Sequence, residues 1–327
     1  MLHTPLCDLL GIDVPVVLAP FGPWEEVDLA AAVCEAGGLG SLGTAARTVP
    51  ELRAQWAGLR ERTNRPFAIN HTGRPFDPEA FAATVAFGPA AISFHMGVPA
   101  DLIQQAHDKG IKWLQTVGEV EAAEQAVAAG ADVLIAQGGE AGGHAGWIST
   151  MVLVPAVADV AGDIPVVAAG GIADGRGLAA ALALGAQGAC LGTRFLATTA
   201  MTIDAAWKQR IVSGHALDAV KVSNSGRILP PFTLPQSGRP CAPRALRTTL
   251  TDQLEHDPSV VNAEQVRAQF LADVRRGGGH DILPFTGQSA ELIHDIPTAS
   301  DLVARLVADA EHALRSAAAH ITPTSRA

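Results

Sequence analysis

The 327-residue chain has no tyrosine, and its five tryptophans and ten phenylalanines make up only 5% of it. Aromatic platforms that stack on nucleic-acid bases or sugars are therefore poorly supplied. Basic residues are scarce too: 23 Lys and Arg stand against 33 Asp and Glu, a formal charge of -10, with no basic run. That balance argues against nucleic acid and anionic membranes as partners. The four cysteines, Cys7, Cys34, Cys190 and Cys241, form no Cys-x-x-Cys pair. Neither a zinc site nor a disulfide framework is expected, and no metal. No apolar run approaches about eighteen residues, and the N-terminus lacks the basic and apolar regions of a signal peptide. The expectation is a soluble cytoplasmic protein acting on a small molecule, with oligomeric state left open, a homo-oligomer included.

What the chain does have is rhythm. Short strand-like runs at 14–20, 38–44, 66–71, 90–96, 111–117, 131–137, 164–169 and 188–193, the first of them β-branched, alternate with helical spacing at 24–36, 49–62, 79–87, 99–109, 120–129, 152–161 and 175–184. Such alternation implies parallel strands with helical crossovers. Eight repeats in about 200 residues predict an α/β protein of the closed (β/α)8 (TIM barrel) type. The rival, an open doubly wound sheet, lacks Gly-x-Gly-x-x-Gly after the first strand.

The rhythm fails after about residue 203. Pro230, Pro231, Pro235, Pro240 and Pro243 mark irregular chain. Helical spacing returns at 260–274, a glycine loop with His280 follows, and an amphipathic helix at 298–319 closes the barrel. The expected division is a barrel from 1–204 and 286–327, with a smaller, inserted, lid-like second domain at 205–285 over the barrel mouth.

Ligands of such barrels sit at the C-terminal strand ends, and phosphates on the loops after strands seven and eight. Here those ends read Ala-Ala-Gly-Gly-Ile at 168–172, containing Ala169, Gly170 and Gly171, and Leu-Gly-Thr-Arg at 191–194, containing Leu191, Gly192 and Thr193. Backbone N–H groups on glycine loops and a threonine hydroxyl suit phosphate oxygens. The sixth strand ends in Gln-Gly-Gly-Glu-Ala-Gly-Gly-His-Ala-Gly at 137–146. Gly142 and Gly143 there permit close backbone approach, and His144 is an acid–base group with little to pack against. Glu140 has three readings: it orients the imidazole, caps a helix, or is solvated. His71 and His95 end strands three and four. Asn70 and Gln137 end strands three and six with groups suited either to a polar ring edge such as that of a flavin or to a turn, and Gln115 and Thr116 end strand five. No strand-end lysine or carboxylate pair suits an aldolase or isomerase barrel.

These motifs, Glu-Ala-Gly-Gly-His at 140–144 above all, resemble the nitronate monooxygenase family, as does the segment at 287–297. The likeness spans nearly the whole chain and is weakest across the proline-rich part. It implies FMN as cofactor, with phosphate on Gly170, Gly171, Gly192 and Thr193 and the isoalloxazine over Ala19, Pro20, Phe21 and Gly22. Asn70, Gln115 or Thr116, and Gln137 would lie near its polar edge. It implies oxidation of alkyl nitronates with O2 to a carbonyl compound and nitrite, His144 handling the α-proton. The same motif occurs in NAD(P)H-dependent FMN reductases of quinones or enoyl thioesters, which is the alternative. Many family members have Ala-Pro-Met where this chain has Ala19, Pro20 and Phe21, and some have lysine where it has Thr116.

Overall fold

The computed structural model describes residues 2–24, 26–229, 241–274, 276, 278 and 281–321. Pro230, Pro231, Pro235, Pro240 and His280 lie outside the described residues. A short helix α1 (Pro5–Leu10) leads into β1 (Val16–Leu18), α2 (Val27–Glu35), β2 (Gly40–Gly43), α3 (Val49–Arg62), β3 (Phe67–Thr72), α4 (Pro78–Phe87), β4 (Ala91–His95) and α5 (Ala100–His107). Next come β5 (Lys112–Val117), α6 (Val120–Ala128), β6 (Val133–Gln137), β7 (Gly143–Ala145), α7 (Thr150–Ala161), β8 (Val166–Ala169), α8 (Gly175–Ala183), β9 (Gly188–Leu191) and α9 (Thr193–Leu196). After these lie α10 (Ala205–Val212), β10 (Ala219–Lys221), β11 (Ala242–Leu246), α11 (Thr249–His256), α12 (Ala263–Val274) and finally α13 (Ala299–Ala318).

Local chemistry sets these boundaries. Asp77 caps α4 by accepting from the N–H groups of Glu79 and Ala80, both at 3.0 Å, and Asp174 caps α8 in the same way. Thr48 and Glu51 form a capping box on α3. Gly11 and Gly88 close α1 and α4 in the left-handed conformation, where glycine carries no steric cost.

Eight strands form one parallel sheet in the order β1-β9-β8-β6-β5-β4-β3-β2. The sheet closes on itself: Leu18 N–H donates to the Leu39 carbonyl and Leu39 N–H to the Val16 carbonyl, each at 2.9 Å. The result is the expected (β/α)8 barrel. Inside it, Val17, Leu39, Ala68, Ala91, Leu114, Val133, Val167 and Cys190 make one apolar cluster, plugged at the N-terminal end by Leu6, Cys7 and Leu10 of α1. The alternate residues of each strand face the helices. α13 takes the place of the last barrel helix, packing Leu302, Val303, Leu306 and Ala310 inward. It lies so near α8 that a Cβ on Gly175 would stand 2.4 Å from the Ala310 nitrogen.

One element departs from expectation. The glycine-rich stretch after β6 is not all loop, because residues 143–145 pair as β7 with β11, which also pairs with β10, all antiparallel. Gly143, at φ +66°, makes the turn that starts β7. His144 stands opposite Pro243, so the chain after residue 205 is stitched directly to the segment that carries the histidine. Val222, Ile228, Leu229, Leu254 and Leu283 form a small apolar cluster of their own in this later part.

Candidate active site

A cavity of about 1720 Å³ opens at the C-terminal ends of the strands, larger than the ~300–1,000 Å³ typical of a single small-ligand pocket. Its floor is made by residues of the interior-facing parity. Ala19, Asn70, Thr116, Gln137, Ala169 and Gly192 border it, as do Pro20, Phe21 and Gly22 after β1. Gly142, Gly143, His144, Gly170, Gly171 and Thr193 line it as well.

Gln115 and Leu191 are not among the residues that border the cavity. They have the opposite strand parity and are fully buried against the helices. Gln115 accepts from Trp113 Nε1 at 3.1 Å and donates to the Phe94 and Gly97 carbonyls at 3.2 and 3.0 Å. Alternation along β5 gives Thr116 the cavity and its neighbour the core.

Gly170 and Gly171 have φ of +97° and +74°, a backbone that other residues adopt only under strain. A Cβ on Gly192 would stand 3.5 Å from Ala19 Cβ and 3.8 Å from the Phe21 ring, filling the gap between the ends of β9 and β1. Thr193 Oγ1 accepts from Gly287 N–H at 2.8 Å, tying the phosphate-type loop to the segment before α13. The Asn70 amide donates to Ser93 Oγ at 3.0 Å, which fixes its orientation on the floor.

Two histidines, His95 and His144, line this cavity. Burial pushes the His144 imidazole down to about 3, with His95 and Lys221 adding to the effect. Burial likewise holds His95 at about 4. Both rings are therefore neutral at physiological pH, each with one N–H donor and one bare nitrogen. The His144 ring tilts against Phe285 at 6.1 Å. Phe285 in turn meets Trp24 edge-on, and Trp24 meets Trp207 at 5.0 Å, an apolar wall contributed largely by the chain after residue 205. His71 is different in kind. Its ring faces outward to α4, 2% exposed, with Nε2 2.8 Å from Thr84 Oγ1.

Glu140 resolves to the helix-terminal reading. Its carboxylate accepts from Thr150 N–H at 2.9 and 3.0 Å and from Thr150 Oγ1 at 2.9 Å, at the N-terminus of α7, where the helix dipole favours an anion. Several functional supports are invisible to motif reading. Glu26, 1% exposed, accepts from Phe21 N–H at 2.9 Å and Gly43 N–H at 2.5 Å. Arg47 donates to the Gly22 and Trp24 carbonyls at 2.6 and 2.7 Å. Together they shape the loop after β1. Nothing in the sequence around them marks these roles, because Gly43, Gly22 and Trp24 lie 17 to 25 residues from their partners.

Among the described residues no group of three or more His, Cys, Asp or Glu side chains is placed to hold a metal, and no helix is long and apolar enough to cross a membrane. The cavity thus offers a small-residue cradle, a polar floor and two neutral imidazoles.

Residues 3–83 and 72–309 match the family model for nitronate monooxygenase. The chain belongs to the nitronate monooxygenase family. It is accordingly an oxidoreductase of flavin type. Relatives within reach include a nitronate monooxygenase of Paraburkholderia phytofirmans, 33% identical, with 92% of this chain and 93% of that one covered. The (3aS,4S,5R,7aS)-5-hydroxy-7a-methyl-1-oxo-octahydro-1H-indene-4-carboxyl-CoA dehydrogenase of Mycobacterium tuberculosis is 39% identical, covering 78% of this chain and 69% of that one. Among solved structures, FabK from Thermotoga maritima superimposes with a TM-score of 0.88 at 31% identity, covering 98% of this chain and 100% of that one.

Proposed function

We propose that this member of the family binds FMN across the barrel mouth and oxidises alkyl nitronates with O2 to a carbonyl compound and nitrite. The residues present fit the cofactor. Gly170, Gly171, Gly192 and Thr193 would hold the phosphate, and the cavity bordered by Ala19, Pro20, Phe21 and Gly22 would take the ring. Asn70, Thr116 and Gln137 supply donors and acceptors for its polar edge. When bound, FMN supplies the redox chemistry and the protein the orientation and proton handling.

The observation that carries the reading is the neutral His144 on the cavity wall with His95 beside it. A strongly depressed imidazole stays unprotonated throughout the neutral range, so the ring offers one N–H donor and one acceptor nitrogen at any working pH. The same depression weakens it as a base, so it suits a substrate that is already an anion or whose anion is well stabilised. A nitronate meets that condition. One imidazole N–H then donates to a nitronate oxygen while the other ring positions the second. Residues 205–285, read as the smaller lid-like unit, contribute Phe270, Phe285 and Trp207 to the apolar side and exclude water from the reacting carbon.

A second reading is favoured by one observation, the 39% identity to a carboxyl-CoA dehydrogenase. A thioester also carries an acidic C–H beside an electron-withdrawing group, and the cavity has volume beyond a nucleotide cofactor. The deciding experiment is anaerobic titration of the yellow protein with propionate 3-nitronate, NADH and an acyl-CoA. Bleaching by the nitronate supports the first reading; bleaching by NADH or the acyl-CoA alone moves the chain to a reductase or a thioester dehydrogenase.

A further inference from the structure

Lys221 ends β10, across β11 from the strand that carries His144. Its Nζ donates to the carbonyls of Ala145 at 2.7 Å, Gly146 at 2.9 Å and Ala242 at 3.1 Å. All three ammonium protons are thereby used. Two of these carbonyls belong to the residues directly after His144, and the third to the register partner of Ala145. Arg244 holds the other end of the same stretch, donating from Nε and Nη2 to the Gly139 carbonyl at 3.2 and 2.8 Å, and from Nη1 to the Ala219 carbonyl.

Neither cation pairs with a carboxylate among the described residues. Glu140 acts on both cations through space, and Lys221 Nζ also stands 5.4 Å from the centre of the Trp147 ring; a largely buried ammonium whose direct partners are carbonyls is nonetheless costly, and an apolar side chain of similar size would serve packing better. The geometry therefore needs a return other than stability. We infer that Lys221 is a positioning residue for catalysis: by converging on three carbonyls at the junction of β7 and β11, it fixes the His144 imidazole over the barrel mouth. The inference rests on the proposed role of His144 in contacting the substrate.

The charged and titratable groups acting on this ammonium are Arg244 and Cys241 on or beside β11 and Glu140 after β6, while His144 faces it from β7. Burial, then Arg244, lowers the amine to about 8, with Cys241 and Glu140 opposing. As pH rises past that value the group loses a donor and turns a lone pair toward a carbonyl oxygen. The clamp then has two contacts instead of three, and His144 is released from its fixed orientation.

The test uses the full-length, FMN-loaded protein and its Lys221→Met and Lys221→Arg variants, with kcat and KM for propionate 3-nitronate followed across roughly pH 6 to 10. In parallel, histidine ring NMR of the cofactor-free proteins follows His144 directly. Wild type is expected to lose kcat above pH ~8, and Lys221→Met to have kcat lower on the order of 10- to 100-fold at neutral pH, with no such limb and an unchanged flavin spectrum. Lys221→Arg, which stays charged, recovers part of the rate and carries activity to higher pH. In the ligand-free spectra, Lys221→Met raises the His144 pKa because a neighbouring cation is gone. A wild-type profile flat through pH ~8, or Lys221→Met with wild-type kcat and pH profile, overturns the inference. Should nitronate prove not to be the substrate, the NMR arm still decides: His144 ring shifts at neutral pH that are the same in Lys221→Met as in wild type overturn the clamp, whereas changed or broadened shifts that Lys221→Arg restores uphold it and leave only the substrate reading to fall.

Discussion

His71 borders the cavity too, but its ring is held by Thr84, and this gives a prediction that separates it from His95 and His144. Its ring is 2% exposed, wedged edge-on against Phe81 at 5.4 Å. Thr84 Oγ1 donates to the Ala80 carbonyl at 3.0 Å, so its remaining bond, to His71, requires Nε2 to carry the proton of a neutral imidazole. Burial lowers the ring to about 4, with Asp77 opposing. The folded protein thus resists a proton that the unfolded chain takes up at its ordinary value near 6.5. With unfolded-state protonation exceeding folded-state protonation below that point, stability is intact above pH ~6.5 and falls as pH drops toward ~4. At about pH 4.5 this one residue removes roughly 2–3 kcal/mol. His71→Leu removes the titration and the Thr84 bond, the latter worth only about 1 kcal/mol. Urea unfolding of wild type and His71→Leu at pH ~7.5 and ~4.5 measures the difference. The variant should lie within about 1.5 kcal/mol of wild type at the higher pH and lose about 2–3 kcal/mol less on acidification. Parallel acid losses in the two proteins would refute the assignment of the ring as buried and neutral.

Other expectations follow from the same geometry. His144→Gln should keep the bound flavin and its spectrum while kcat drops about 10²- to 10⁴-fold, the range for removing a proton-transfer group; His95→Gln should chiefly raise KM for the nitronate, read from initial rates. Gly170→Ala forces a left-handed backbone on a residue whose Cβ would stand 3.0 Å from the Gly138 carbonyl oxygen, and should cost about 2–5 kcal/mol in urea unfolding along with FMN affinity. Glu140→Ala removes the anion at the start of α7 and should lower stability by about 1–3 kcal/mol, with circular dichroism showing an intact barrel.

The barrel was legible because each strand and helix carries its own period and its own stops. Gly110 and Gly130 end helices, Asp77 and Asp174 start them, and the eight apolar runs recur at even spacing. The glycine loops after β8 and β9 were legible for the same local reason. Orientation was harder. Gln115 and Thr116 look equivalent as strand-end polar residues, and only counting parity from interior Leu114 separates the one that reaches the cavity from the one that ties Trp113 and Phe94 together. The clamp was not legible at all. Lys221 and Arg244 act through backbone carbonyls 76 and 105 residues away, and nothing in their own neighbourhood marks them. The pairing of β7 with β11 was hidden because glycines on one strand and Pro243 on the other argue against a strand locally, and tertiary context prevails.

The claim on which the rest depends is that the barrel mouth holds FMN where His144 can act on a nitronate. The most direct measurement is stopped-flow mixing of the anaerobic purified protein with propionate 3-nitronate, followed by admission of oxygen with nitrite assayed. The account predicts a yellow protein whose flavin absorbance bleaches on mixing and returns with oxygen uptake and nitrite release, and a His144→Gln variant equally yellow but slow to bleach. A colourless protein that takes up no FMN, or a yellow one that nitronate leaves unbleached and that makes no nitrite in air, would contradict it.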